Sequence, residues 1–306
     1  MLRGFYEKEG DLRKPRWVFP KAMSIAGGHD VKKLLRDHGV STVCESARCP
    51  NRGECFGERT ATFLILGRSC TRRCGFCAVH KGAPGAPDRS EPEAVAEAAR
   101  RLGLNYVVVT SVTRDDLADG GAEIFAEVIG QVKGGGRSAR VEVLVPDFAG
   151  VESSLDRVTA AGPEVLNHNV ETVPRLYRAV RPGADYRRSV DLLRRAGRAV
   201  GVTKSGMMLG LGEKREEVLE VMKDLAGAGC RSLTLGQYLQ PTRENLAVAR
   251  YLEPEEYEEF ALVGMELGIE RVVAGPLVRS SYRAGEIYDD LAARGDGVRP
   301  EPAGTQ

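Results

Sequence analysis

From Thr62 onward, six short β-branched runs alternate with stretches of helical periodicity, which predicts an α/β protein: a partial (β/α)6 barrel of TIM type with N- and C-terminal extensions. Each run is followed by an amphipathic stretch long enough for a parallel crossover. Right-handed βαβ connections curl such a sheet toward a barrel, and six units leave one side open to a large substrate.

The strands are expected at 63–66, 106–110, 141–145, 164–168, 202–208 and 232–235. Helices are expected at 92–102, 122–132, 151–161, 173–180 with 186–200, and 216–228, where apolar residues recur at helical spacing. Residues 1–60 have no strand periodicity and are read as an extension of loops and short helices, one of them over Asp30 to His38. Residues 61–275 form the barrel domain. They include a helix around Pro254 to Gly268 and an apolar stretch from Arg271 to Ala274. Residues 276–306 form a C-terminal extension carrying Arg279-Ser280-Ser281-Tyr282, with a Gly/Pro-rich tail after Asp296 expected to be mobile.

With 306 residues and 42% hydrophobic content, the chain has ample apolar surface for a packed core. Its 44 basic and 43 acidic residues give a net charge of +1, so no long-range field draws in nucleic acid. No apolar run reaches the roughly 18 residues of a membrane span, and the charged N-terminus has no signal-like apolar region. A cytoplasmic protein is expected, with no nucleic-acid or membrane partner.

Six of the seven cysteines fall into two triplets, Cys44, Cys49, Cys55 and Cys70, Cys74, Cys77. The second has the spacing C-x3-C-x2-C. A cubane iron-sulfur cluster takes four ligands, so three thiolates leave one iron open to a small molecule, much as an open position separates catalytic from structural zinc. Zinc sites ordinarily pair two C-x2-4-C elements, and neither triplet has a fourth Cys at that spacing; His80 lies three residues past Cys77, but an open iron leaves it no ligand role. A disulfide scaffold belongs to small secreted chains, which this is not.

In βα barrels the chemistry sits at the C-terminal ends of the strands, and the segments there are polar. They are the Cys70 triplet, Thr110 to Asp116, Pro146 to Phe148, Asn167 to Glu171, Leu209 to Glu213 and Gly236 to Pro241. Asn169, Glu171 and Lys204 are the candidates for ribose hydroxyls or a carboxylate, and Ser111 joins them as a cofactor contact. Gly-Leu-Gly-Glu lacks the full dinucleotide fingerprint. Cys230 reads as a small buried thiol and His80 as a surface or packing residue. Arg48, Arg72 and Arg73 suit either tuning and docking roles or plain solvation.

The C-x3-C-x2-C triplet after a first barrel strand resembles that of the radical S-adenosylmethionine (SAM) enzymes. The wider wording is similar to the lipoyl synthase family: Cys44-Glu-Ser-Ala-Arg-Cys49-Pro-Asn-Arg-Gly-Glu-Cys55, Asp115-Asp-Leu-Ala-Asp-Gly-Gly121, Asn167-His-Asn-Val-Glu-Thr-Val-Pro174 and Arg279-Ser-Ser-Tyr282. The resemblance spans residues 40 to 290, roughly, with Arg52 and Phe56 standing where the family has apolar and Trp side chains.

The resemblance implies that Cys70, Cys74 and Cys77 hold a 4Fe-4S cluster whose open iron chelates SAM. It implies that Cys44, Cys49 and Cys55, with Ser280, hold an auxiliary 4Fe-4S cluster that is consumed as a sulfur source. Spacing alone does not choose between Ser280 and Ser281; the family pattern names Ser280. A serine alkoxide, hard beside soft thiolates, suits a ligand that must leave. The implied reaction inserts sulfur at C6 and C8 of an octanoyl chain on a carrier protein, a 2-oxoacid dehydrogenase E2 lipoyl domain or the glycine cleavage H protein. The implied helpers are a ferredoxin- or flavodoxin-type electron donor and an iron-sulfur cluster carrier.

Overall fold

A computed structural model describes residues 13–19, 28–135 and 139–294. The expectations for the N-terminal Met1 segment and for the tail after Asp296 lie outside these residues. The N-terminal flank carries α1 (Gly28–Asp37), β1 (Ser41–Thr42), α2 (Val43–Ser46) and α3 (Arg52–Gly57). The barrel follows as β2 (Thr62–Ile65), the short β3 (Ser69–Cys70) and β4 (His80–Lys81), then α4 (Glu91–Leu102), β5 (Tyr106–Ser111), α5 (Ala122–Gly134), β6 (Arg140–Leu144), α6 (Glu152–Ala160) and β7 (Val165–Asn167). It continues with α7 (Tyr177–Val180), α8 (Tyr186–Ala196), β8 (Val202–Leu209), α9 (Arg215–Gly227), β9 (Ser232–Gln237), α10 (Pro254–Glu266), β10 (Arg271–Gly275) and α11 (Ala284–Arg294).

Strand order in the main sheet is β1-β2-β5-β6-β7-β8-β9-β10. β1 pairs antiparallel with β2, and every other pair is parallel. All six expected strands are present, with ends shifted by a residue or two. The stretch Arg271 to Ala274 adds a seventh parallel strand, in register with Ser232 to Leu235. Unlike the fully buried β9, it is mostly half-buried, with Val272 its one buried residue, as befits the strand at the end of the sheet. The expected helix at 173–180 is a 3-10 turn over Pro174–Leu176 running into α7.

The strands read as near-continuous apolar runs because helices cover the outer face and side chains fill the barrel. Val107, Val109, Val141 and Val143 pack against α4 and α5 through Val95, Phe125 and Val128, and Leu233 and Leu235 join α9 and α10 through Val221 and Phe260. In α4, proline at the start and Gly103 in the left-handed conformation at the end supply the usual stop signals. Helix α11 packs beneath the strands: Ile287 and Leu291 cover Val165 and Val202, the first residues of β7 and β8. The Tyr288 ring packs tilted against Tyr106, with centroids 5.8 Å apart, and Arg271 pairs with Asp290 at 3.1 Å. The lower end is thereby plugged, which leaves the C-terminal ends of the strands for ligands. Among the described residues, no helix is long and apolar enough to cross a membrane.

Candidate cluster and cofactor site

A cavity of about 540 Å³ opens at the C-terminal ends of the strands. Five of the six triplet thiols line it: Cys44 and Cys49 on one side, Cys70, Cys74 and Cys77 on the other. Cys55 stands behind the first two, near enough that their charges act on it. Ser280 and Ser281 complete the wall.

The Cys70 loop is held mainly by its backbone and by Arg72, while its three sulfurs face the cavity. Gly75 N–H donates to Val180 O at 2.8 Å, and Asn245 Nδ2 donates to Gly75 O at 3.0 Å and Cys77 O at 2.9 Å. Buried Arg72 makes a two-pronged contact with Asp115, 2.8 Å on each prong, and reaches Asp147 at 2.6 Å. Its carboxylate partners come from the ends of β5 and β6, so Arg72 anchors the loop to the barrel. Of the other two candidate arginines, Arg73 is exposed and Arg48 donates to Pro241 O at the rim of the cavity.

Cys44 lies in α2 and Cys55 in α3. Left-handed Arg48, with φ 54°, turns the chain so that Cys49 N–H reaches Cys44 O at 3.1 Å. Burial pushes the Cys44 thiol up to about 11; burial and then the neighbouring Cys44 and Cys49 push Cys55 up to about 12. Cys77 rises to about 12, again mainly through burial. These thiols are protonated in the metal-free chain, so metal uptake releases protons. Among the described residues, no three Cys, His, Asp or Glu side chains gather tightly enough for a single ion. Thiols spread around a shared space suit a polynuclear cluster, in which each binds a different iron.

The opposite wall is built by β5, β8, β9 and the segment that follows β7. Ser111 Oγ and Asn169 Oδ1 are buried without a partner, both in the cavity wall. Unpaired buried polar atoms are costly, so these two, facing the cavity, are candidates for contact with a polar ligand. Glu171 is held in the left-handed region, with φ 66°, by backbone bonds to Gly206 and Met208; such strain is typical of functional positions. Burial pushes its carboxyl up, against the opposing charge of Arg181. Asn169 Nδ2 donates to Glu171 Oε1 at 3.1 Å and to Ser280 Oγ at 3.3 Å. Gly206 makes room for this group, since a Cβ there would lie 2.8 Å from Asn169 Oδ1.

Lys204 does not join them. Its ammonium is buried against Glu142, at 3.0 Å and 3.3 Å, within a network that includes Tyr106 and Asn167. As the third residue of β8 it lies toward the N-terminal end of the strand, below the cavity, and this corrects its expected role as a cofactor contact. Cys230 is a buried thiol bonded to Ser232 O, and exposed His80 touches Ser69 Oγ, both away from the ligand role. The Gly210-Leu211 backbone closes on Glu213, at 2.5 Å and 2.9 Å, so that loop is folded on its own carboxylate.

Sequence reasoning missed Arg181. Its Nη1 donates to Asn169 O, Val170 O and Tyr177 Oη at 2.8 to 3.2 Å, and its guanidinium lies 5.2 Å from the centre of the Tyr177 ring. Its Nε is buried without a partner, and the residue lines the cavity. Arg181 stands after α7 rather than after a strand, so a search of strand ends passes over it. Neighbouring His168 is a fixture of the wall: Nδ1 meets Val145 O and Nε2 meets Ser189 Oγ, while burial and Arg181 hold its pKa down to about 4.

A model of the Radical SAM superfamily matches residues 64–225. Lipoyl synthase of Methylococcus capsulatus is 54% identical over 91% of this chain and 87% of its own length. Lipoyl synthase of Caldanaerobacter subterraneus subsp. tengcongensis is 53% identical over 89% of this chain and 96% of its own. Among solved structures, HydG, a maturase of the FeFe-hydrogenase, superposes with a TM-score of 0.55 at 13% identity, covering 82% of this chain and 63% of HydG, a likeness of fold.

Proposed function

The chain belongs to the lipoyl synthase family of the radical SAM superfamily, and from that premise we propose how its residues share the work of inserting two sulfur atoms, at C6 and C8, into a protein-bound octanoyl chain. The single observation that carries the assignment is that five of the six triplet cysteines and Ser280 line one cavity, with Cys55 beside Cys44 and Cys49. Cys70, Cys74 and Cys77 hold the 4Fe-4S cluster that binds SAM; Cys44, Cys49, Cys55 and Ser280 hold the auxiliary one. When bound, SAM and its cluster supply a carbon radical able to abstract hydrogen, and the auxiliary cluster supplies the sulfur.

The residues fit these groups. Asn169 Oδ1 and Glu171 present acceptors suited to ribose hydroxyls, and Ser111 Oγ offers a further hydroxyl contact. Arg181, with its unpaired Nε in the wall, suits the carboxylate of SAM. Leu64, Val79 and Met207 give the cavity an apolar lining, which suits an acyl chain and keeps water from a reactive centre. The domain division follows the same logic: 1–60 brings auxiliary thiolates, 61–275 the barrel, and 276–306 the serine. An E2 lipoyl domain or H protein as carrier, a ferredoxin- or flavodoxin-type reductant, an iron-sulfur cluster carrier and a cytoplasmic setting complete the reading.

Two outcomes test it. Arg181→Met is expected to weaken SAM binding roughly tenfold or more, measured by equilibrium dialysis on reconstituted protein; unchanged affinity would remove Arg181 from the site. Ser280→Ala is expected to depress sulfur insertion far more than SAM cleavage, both read in one anaerobic assay. Equal losses would count against its role at the auxiliary cluster.

A further inference from the structure

The segment between β10 and α11, which carries Ser280, is made of turns and has no sheet or long helix to stiffen it. It is gripped on both sides of Ser280 by the first turn of α3, the helix that carries Cys55. Asn51 occupies the N-cap position of α3 yet makes no capping bond; its buried Nδ2 instead donates to Leu277 O at 2.7 Å, across 226 residues of sequence. Glu54 Oε1 accepts from Tyr282 Oη at 2.7 Å, with Arg283 Nη2 at 3.6 Å. The opposite side of the segment rests on β9, where a Cβ on Gly236 would lie 2.1 Å from Val278 O.

These contacts bracket the four residues Val278 to Ser281, with Ser280 among them. Leu277 lies three positions before Ser280 and Tyr282 two after it, while Asn51 and Glu54 both lie between Cys49 and Cys55. Moreover, the two flanks meet across the gap between the outer strands β1 and β10, which have no sheet bond to each other.

We propose that Asn51 and Glu54 of α3, gripping Leu277 and Tyr282, form a staple that positions Ser280 against the Cys44–Cys49–Cys55 triplet. The staple rests on the reading of Ser280 as a ligand of the auxiliary cluster. Asn51, Glu54 and Tyr282 are positioning residues. They tie the serine's backbone to the helix bearing Cys55, so that Ser280 would be held beside the triplet whether or not its side chain were bound to the cluster.

The test uses full-length protein reconstituted anaerobically, comparing Tyr282→Phe, Glu54→Gln, Glu54→Leu and Ser280→Ala. The readouts are the paramagnetic resonance signal of each reduced cluster, the rate of iron loss to a chelator, and the melting temperature. Tyr282→Phe and Glu54→Leu are expected to alter the auxiliary signal and to speed auxiliary iron loss roughly tenfold or more, with the SAM-site signal unchanged. Glu54→Gln keeps an acceptor oxygen and is expected to restore most of the protection. If Ser280→Ala changes the auxiliary signal while Tyr282→Phe and Glu54→Leu do not, the staple is overturned and the ligand reading stands. If Ser280→Ala leaves that signal untouched, the ligand reading falls and takes the staple with it. Loss of both clusters together with a lowered melting temperature in Tyr282→Phe would mean a merely structural contact, and would also overturn the staple.

Discussion

Cys70→Ala is expected to bring SAM cleavage down to background while leaving the auxiliary cluster in place. The change removes one of only three thiolates proposed for the SAM-binding cluster, and an iron-sulfur cubane short of two ligands is not retained. The loop itself should survive. Its shape depends on Gly75 bonded to Val180, on Asn245 bridging two carbonyls and on Arg72 between Asp115 and Asp147, none of which involves the Cys70 side chain. Cys70 Sγ accepts only the Thr113 N–H, at 3.3 Å, a weak bond whose loss is a small perturbation. Iron content should therefore fall from about eight to about four atoms per chain, with the remaining signal that of the auxiliary cluster. Iron analysis and the yield of SAM cleavage products read both effects, and unaltered cleavage would end the assignment of this triplet.

Lys204→Met is expected to destabilise the fold by ~3–5 kcal/mol without weakening SAM binding by the folded fraction. The mutation leaves Glu142 buried and facing Tyr106 and Asn167 without its ammonium partner. Against a total stability of ~5–15 kcal/mol this is a large loss. The pair itself adds little, because both ions give up water to meet; what matters is that neither be left alone. The double change Lys204→Met with Glu142→Leu should therefore recover most of the stability. Denaturant titration measures all three proteins. A drop in SAM affinity in the folded single variant would return Lys204 to the site from which its position in β8 removes it.

Much of this architecture was legible because burial on both faces gives parallel strands a continuous apolar signature, as in Tyr106-Val-Val-Val-Thr-Ser111. The cysteine triplets were legible because soft thiolates at short spacing have few other uses. Less could be read where position depends on depth along a strand. Lys204 and Gly206 are two residues apart on β8, yet the glycine lines the cavity and the lysine lies below it. Which of them faces a ligand depends on barrel packing, which is not written in local pattern. Arg181 was missed because it reaches the site from the end of a helix, and β10 was read only as an apolar stretch because its run, Arg271-Val-Val-Ala-Gly275, is short. Phe56, where the family pattern has Trp, is buried in the N-terminal core, with its Cβ 3.5 Å from where one on Gly28 would lie, so the departure is a change of packing.

The most direct test loads the auxiliary cluster with heavy-isotope sulfide, removes unbound sulfide, and allows one turnover on an octanoylated carrier domain. Mass spectrometry of the product and iron analysis of the protein are read together. Heavy sulfur in the lipoyl product, with loss of the auxiliary signal and survival of the SAM-site cluster, is the predicted result. Product carrying only light sulfur, or a fully loaded protein with a single cluster per chain, would contradict it.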